Sequence, residues 1–421
     1  MMELQVSEMA ENLIGSEIIK LAGEVKEMIS KGDQIHNFTI GDFDPKLFPI
    51  PEELLEAIIA SYRNAETNYP TANGMLELRK AVSYFLKTRG GLDYDTEEIL
   101  ISGGARPLIY ATYRALVDPK DKVIFPVPSW NNNHYCHLSS AQQIIVETTP
   151  ENNFMPSADE LRPFISDARM IALCSPLNPT GTVFSEDKLK EICEMVVEEN
   201  KRRADNEKPL YLLFDQIYWV LTHGDTLHHD PVTICPEVKP YTIFMDGLSK
   251  AFAATGVRVG WAFGPAKVMA KMKSILGHVG AWAPKAEQMA TAQYLEMDTA
   301  IDTYLGSFKE DISERLYGFY KGFQDLKNKG FNVDAIAPQA AIYLTVKLDL
   351  VGKTTKSGVT LENTKQVTAF ILQEAKTAIV PFYAFGASET SPWYRLSVGT
   401  AKTEEIKGFF EQLENVLSSL T

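Results

Sequence analysis

The sequence predicts an α/β chain: a large domain with a mostly parallel sheet flanked by helices, plus a smaller α+β domain. Three observations predict it. Short apolar runs alternate with helical patterns through the first two-thirds of the chain, as buried parallel strands joined by crossover helices do. A polar or glycine-rich turn follows each run. Beyond Pro284 the pattern changes to a long helical stretch and then to mixed short elements. At 421 residues the chain is long enough for two or three domains.

The N-terminal "MMELQVSEMAENLIGSEIIKLAGEVKEMISKG" has apolar residues at helical spacing with charges between them. It has no basic head and apolar core, so it is not read as a signal peptide. "EEILISGG" reads as a strand leading into the helix "ARPLIYATYRALV", and "KVIFPVPSW" as the next strand. "RMIALCSPLNPTG" precedes the helix "SEDKLKEICEMVVEEN". "YLLFDQIYWVL", "YTIFMDGLSK" and "VRVGWAFGP" follow as strands. From Pro284 to Lys329 two helices are expected, with a break near Gly306. Strand "AIYLTVKLDL", a helix near "ENTKQVTAFILQEAK", strands "AIVPF" and "YRLSVG" and a last amphipathic helix complete the chain. The expected division is an N-terminal arm and part of the small domain over 1–48, the large domain over 49–290 and the small domain over 291–421.

Composition excludes several classes. With 45% hydrophobic and 23% charged residues the chain is neither disordered nor collagenous. A net charge of −14 disfavours nucleic acid and anionic membranes as partners. Cys136, Cys174, Cys193 and Cys235 show no metal-ligand spacing, so free thiols in a reducing cytoplasm are expected and no metal is. No run reaches the ~18 apolar residues of a membrane span.

The unusual polar residues fall at strand C-termini, where open parallel sheets bind ligands. Gly103 and Gly104 open a strand-to-helix turn that suits either an anion at a helix N-terminus or a plain tight turn. Asp215 ends an apolar strand and is either a helix cap or a buried carboxylate that needs a partner, and Tyr218 shares its turn. Asn178 lies in an Asn-Pro turn, and Trp130 is either a core aromatic or a ring that stacks on a ligand. Lys250, at the inner end of a strand, is costly to bury unless it is paired or used. Arg258 sits near enough to grip a phosphate.

"SKAFAATGVRVG" resembles the S-K-x-x-x-x-x-G-x-R-x-G signature of the class I/II aminotransferases, aspartate aminotransferase-like members of the fold type I pyridoxal-phosphate enzymes. "NYPTANGMLELRKAV", "SGGARPL", "PVPSW", "NPTG", "DQIY" and "YRLS" match further family motifs in family order. The resemblance implies a sheet of seven-stranded type and pyridoxal 5'-phosphate as cofactor. It makes Lys250 the lysine bonded to the cofactor aldehyde, and Asp215 the partner of the ring nitrogen. Asn178 and Tyr218 become the donors to the phenolic oxygen, and Trp130 the stacked aromatic. Gly103, Gly104, Ala105, Ser249 and Arg258 form the phosphate cup. Arg395, with Asn178 and the backbone at Gly41, holds the substrate carboxylate. Tyr69 reaches the phosphate of the neighbouring subunit, which implies a homodimer with shared sites, and the 1–35 segment is expected to pack across that interface.

The departures are Gln216 in "DQIY", Gly247 where many members have serine, Ala340 in "PQAAIYL" and Phe382 in "IVPFYAFG". The implied reaction moves the amino group of an L-amino acid, aspartate or a related one, to a 2-oxo acid by a ping-pong route. A β-eliminating carbon–sulfur lyase and an aromatic aminotransferase are the alternatives on the same fold. A nicotinamide dehydrogenase would need a G-x-G-x-x-G that the first strand-to-helix turn lacks, and a degenerate regulator would carry an added DNA-binding segment. Lys285 and Arg106 are the candidates for a second cation that reads a distal carboxylate; Trp282, Tyr135 and Phe43 would suit an aromatic side chain.

Overall fold

The computed structural model describes residues 5–13, 15 and 17–421. A seven-stranded sheet forms the large domain. Across it the strands run Ile99–Ser102, Gly260–Phe263, Thr242–Gly247, Tyr211–Asp215, Ala168–Cys174, Lys122–Val127 and Gln142–Glu147. Only Gly260–Phe263 runs against the rest.

Both faces of this sheet are buried, and alternation decides which side chain goes where. Leu212 and Phe214 enter one core with Ile171, Leu173 and Phe244. Leu213 points the other way, into a core with Ala172, Ile243 and Met245. The helices Leu76–Gly90, Glu186–Arg202 and Lys285–Tyr294 cover the first face, and Ala105–Leu116 with Ala266–Val279 the second. The expected strands are all present. Gln142–Glu147 has no counterpart in the sequence reading: it is an edge strand with one buried residue, Val146, and its apolar run is only the three residues Ile144, Ile145 and Val146.

The smaller unit holds an antiparallel sheet in the order Val380–Pro381, Trp393–Ser397, Tyr343–Leu348, Val333–Ala335. His36–Asn37 pairs with Thr377–Ala378 and ties the N-terminal segment to it. The run "AIVPF" splits into two short strands in different sheets.

One expectation is corrected. The helix break lies at residues 295–297, not near Gly306, which sits inside the 31-residue helix Asp298–Asn328. A glycine there costs about 1 kcal/mol against alanine, and a stripe of buried residues from Ile301 to Leu326 outweighs it. Within the N-terminal segment, helix Glu17–Ser30 has company in its own chain. Leu21 and Val25 of helix Glu17–Ser30 pack in one cluster with Phe154, Leu372, Val380, Phe382 and Phe385.

Candidate active site

The C-terminal ends of the central strands open into a cavity of about 670 Å³. It collects Gly41, Ala105, Arg106, Trp130, Asn178, Asp215, Tyr218, Ser249, Lys250, Arg258 and Arg395 from positions scattered over most of the chain. Lys285, Trp282 and Tyr69 lie elsewhere, on a separate surface pocket.

Lys250 sits in a short helix, Leu248–Ala251, that follows strand Thr242–Gly247. Its Nζ donates to the Gly41 carbonyl at 2.6 Å. Burial lowers its pKa to about 8; the charge of Asp42 opposes this, and Arg395, Arg106 and Arg258 reinforce it. Asp215 ends its strand with one carboxylate oxygen accepting the Ile217 N–H at 3.1 Å. Burial raises its pKa to about 6, with that hydrogen bond opposing. No cation in the described residues pairs with it, so it is the carboxylate in want of a partner rather than a helix cap.

Arg395 is 2% exposed. Its Nη2 donates to the Thr39 carbonyl at 2.6 Å and its Nη1 to Asn178 Oδ1 at 3.0 Å. Its Nε is buried without a partner, and burial lowers its pKa. A Cβ at Gly41 would come within 2.8 Å of the Tyr343 hydroxyl and 3.5 Å of Arg395 Nη1, so glycine lets the backbone pass close to Tyr343 beside the guanidinium. Tyr218 and Tyr343 share a hydroxyl hydrogen bond of 2.6 Å, and burial raises both phenols.

The glycine turn works differently from expectation. The Gly103 N–H donates to the Ala281 carbonyl and the Gly104 N–H to that of Ser102, so neither amide is available to a ligand. What the pair supplies is room. Gly104 has φ 99° and ψ 176°, a region essentially restricted to glycine. A Cβ on it would meet Arg258 Nη2 at 2.4 Å. Arg258 itself donates to the Thr255 and Gly103 carbonyls, each at 2.7 Å. The first-turn amides of Ala105 and Arg106 carry no backbone hydrogen bond and stand at the positive end of helix Ala105–Leu116. Gly260 passes so close that a Cβ would lie 2.8 Å from the Ala105 nitrogen, and one at Gly247 would lie 2.8 Å from Gly260 Cα. Serine at 247 would not fit this backbone.

Trp130 lines the cavity, with the Arg106 guanidinium 5.1 Å from its ring centroid. Tyr69 is 83% exposed and meets Trp282 edge-on, with centroids 5.5 Å apart. The sequence reading missed Tyr343, Thr39, Asp42, Ile18 and Ala22, which also line the cavity. Tyr343 reads only as an aromatic in a strand; Ile18 and Ala22 lie on the N-terminal helix, whose destination no local pattern reveals.

The lysine, the unpaired carboxylate and the buried arginine in one cleft at the sheet's C-terminal edge are the equipment of an enzyme acting on amino acids. The chain belongs to the family aminotransferase class I and II, whose model matches residues 33–413, and is a transaminase. It is 28% identical to a probable aspartate/prephenate aminotransferase of Rhizobium leguminosarum bv. phaseoli, over 92% of this chain and 93% of the relative. It is 30% identical to a probable aspartate/prephenate aminotransferase of Rickettsia conorii over 87% of each chain. The crystal structure of the aspartate aminotransferase of Rhizobium meliloti superposes with a TM-score of 0.89 at 25% identity, covering 100% of both chains.

Proposed function

We propose that this aminotransferase uses pyridoxal 5'-phosphate to move the amino group of aspartate or a related acidic L-amino acid to a 2-oxo acid, by a ping-pong route. The observation that carries this reading is the convergence of Lys250, Asp215 and Arg395 on one cavity. The names of the relatives support the acidic donor.

The cavity fits the cofactor: it offers an unpaired carboxylate, an amine near pKa 8, free helix amides and a turn kept clear by Gly104. Lys250 would bond the aldehyde carbon, Asp215 would face the ring nitrogen, and Asn178 and Tyr218 the phenolic oxygen. Trp130 would stack on the ring. The Ala105 amide, Ser249 and Arg258 would hold the phosphate, with Gly103 and Gly104 giving the space. Once bound, the cofactor supplies an electron sink for ionisation of the substrate Cα–H.

The chain's own residues do the rest. Arg395, oriented by Thr39 and Asn178, binds the α-carboxylate beside Gly41 and fixes which Cα bond is aligned for cleavage. Lys250, once its amine is free, takes the Cα proton as general base; a pKa near 8 suits that task at neutral pH.

We assign residues 49–290 to the large domain and 1–48 with 291–421 to the small one. We also read the chain as a cytoplasmic homodimer; four free thiols support a reducing compartment. The exposed Tyr69 and the neighbouring Tyr62, 50% exposed, support a second copy seated on that face. Tyr69 would then reach the partner's phosphate.

Lys250→Ala tests the assignment. The variant is expected to keep its fold by circular dichroism and to lose transamination by at least about a thousandfold. Near-normal turnover would remove Lys250 from the chemistry.

A further inference from the structure

We propose that Tyr343 is a positioning residue for both halves of the site. Its hydroxyl donates to Tyr218, which frees the Tyr218 proton for the cofactor's phenolic oxygen, and its ring carries the Arg395 guanidinium that holds the substrate carboxylate. This rests on the cofactor reading above and deepens it.

Strand register puts Tyr343 in place. Tyr343–Leu348 runs antiparallel to Trp393–Ser397, with Thr345 opposite Arg395 and Tyr343 opposite Ser397. Side chains two apart on a strand share a face, so Tyr343 is the diagonal neighbour of Arg395. The Arg395 guanidinium carbon lies 4.7 Å from the Tyr343 ring centroid and 5.0 Å from that of Phe385. An aromatic face attracts a guanidinium and leaves its in-plane N–H groups to other partners. The entry to the strand is fixed by the loops that carry the other site residues. The Ala340 N–H donates to the Gly181 carbonyl, in the turn after Asn178, and the Ala341 N–H to the Leu221 carbonyl, just beyond Tyr218.

The hydroxyls of Tyr343 and Tyr218 lie 2.6 Å apart, and each residue is 2% exposed. Neither phenol bonds another side chain or carbonyl among the described residues. Burial raises both, so both keep their protons at neutral pH. Two protons then serve one shared bond. If Tyr218 donates, its only proton is spent on Tyr343. If Tyr343 donates, the Tyr218 proton is free to turn into the cavity that holds Lys250 and Asp215. A phenol that accepts one hydrogen bond also donates the next more strongly. The proton order that serves a ligand oxygen is therefore Tyr343 to Tyr218 to ligand.

The test compares wild type, Tyr343→Phe, Tyr343→Leu, Tyr218→Phe and the double variant Tyr218→Phe/Tyr343→Phe, each loaded with pyridoxal 5'-phosphate and checked for fold by circular dichroism. Two readouts are taken: the pH midpoint of the bound cofactor's absorbance, and kcat and KM for whichever of L-aspartate, L-glutamate, L-alanine and L-phenylalanine the wild type uses fastest. Weakening the donor to the phenolic oxygen makes that oxygen more basic. Tyr343→Phe should therefore raise the midpoint by about half a unit or more and leave KM within about twofold, because the ring stays. Tyr343→Leu should raise the midpoint alike and also raise KM by about threefold to tenfold, because the ring is gone. In the Tyr218→Phe background, Tyr343→Phe should move the midpoint no further. An unmoved midpoint in Tyr343→Phe, or a shift that persists in full without the Tyr218 hydroxyl, would overturn the relay. A KM that rises as far in Tyr343→Phe as in Tyr343→Leu would overturn the role of the ring. A wild type that takes up no pyridoxal 5'-phosphate would overturn the cofactor reading and this proposal with it.

Discussion

Lys250 is charged at a cost, because its ammonium is buried beside three guanidinium-bearing residues with only Asp42 in opposition. The neutral amine is the nucleophile, so the depressed pKa moves reactivity toward neutral pH. The sign is fixed: protonation blocks attack, and deprotonation at about 8 releases it. The rate at which apoprotein captures the cofactor aldehyde should rise with pH, with a midpoint near that value, and level off above it. A rate still climbing toward the ordinary lysine range would mean that burial does not act on this amine. The residues at this scale that the sequence revealed are those with an unusual cost: a strand-end lysine, a strand-end carboxylate, an arginine among glycines. Tyr343 and Thr39 stayed hidden because an aromatic and a threonine are ordinary in a strand or a loop, and only the fold brings them beside Tyr218 and Arg395.

At the scale of elements, the turn between strand Ile99–Ser102 and helix Ala105–Leu116 is where the proposed phosphate site depends on backbone geometry. Gly104→Ala would force a side chain into a region costing about 1–3 kcal/mol and against Arg258. We expect a lower melting temperature and cofactor affinity weakened by about tenfold or more, since about 1.4 kcal/mol is a factor of ten. Unchanged values for both would show that the turn tolerates a Cβ. Strands buried on both faces were legible as apolar runs, whereas the edge strand Gln142–Glu147 was not, because one of its faces meets solvent. Gly306 misled because local propensity is small beside the burial along the helix Asp298–Asn328. The glycine pair was legible as special, but its use was not: its amides go to Ala281 and Ser102, and the amides without a backbone partner are those of the next two residues, Ala105 and Arg106.

For the whole molecule, sequence patterning showed an amphipathic N-terminal helix but not its partner, since a stripe of apolar residues does not say which surface it covers. The structure seats Leu21 and Val25 on the chain's own smaller unit, with Ile18 and Ala22 at the cavity. The proposed homodimer with shared sites rests on Tyr69 being exposed and outside its own cavity. Mixing Lys250→Ala chains with Tyr69→Phe chains should give hybrids with one intact site, and activity above the mean of the two parents. Activity at the mean, with hybrids verified by mass, would place Tyr69 outside the partner's site. The central claim is amino transfer, and the stoichiometry of its first half tests it most directly. Holoenzyme given an amino acid and no acceptor should release one 2-oxo acid per chain, retain the nitrogen and stop, then turn over repeatedly once a 2-oxo acid is added. Continued release of ammonia with no acceptor present would contradict the account and make the chain an eliminating lyase.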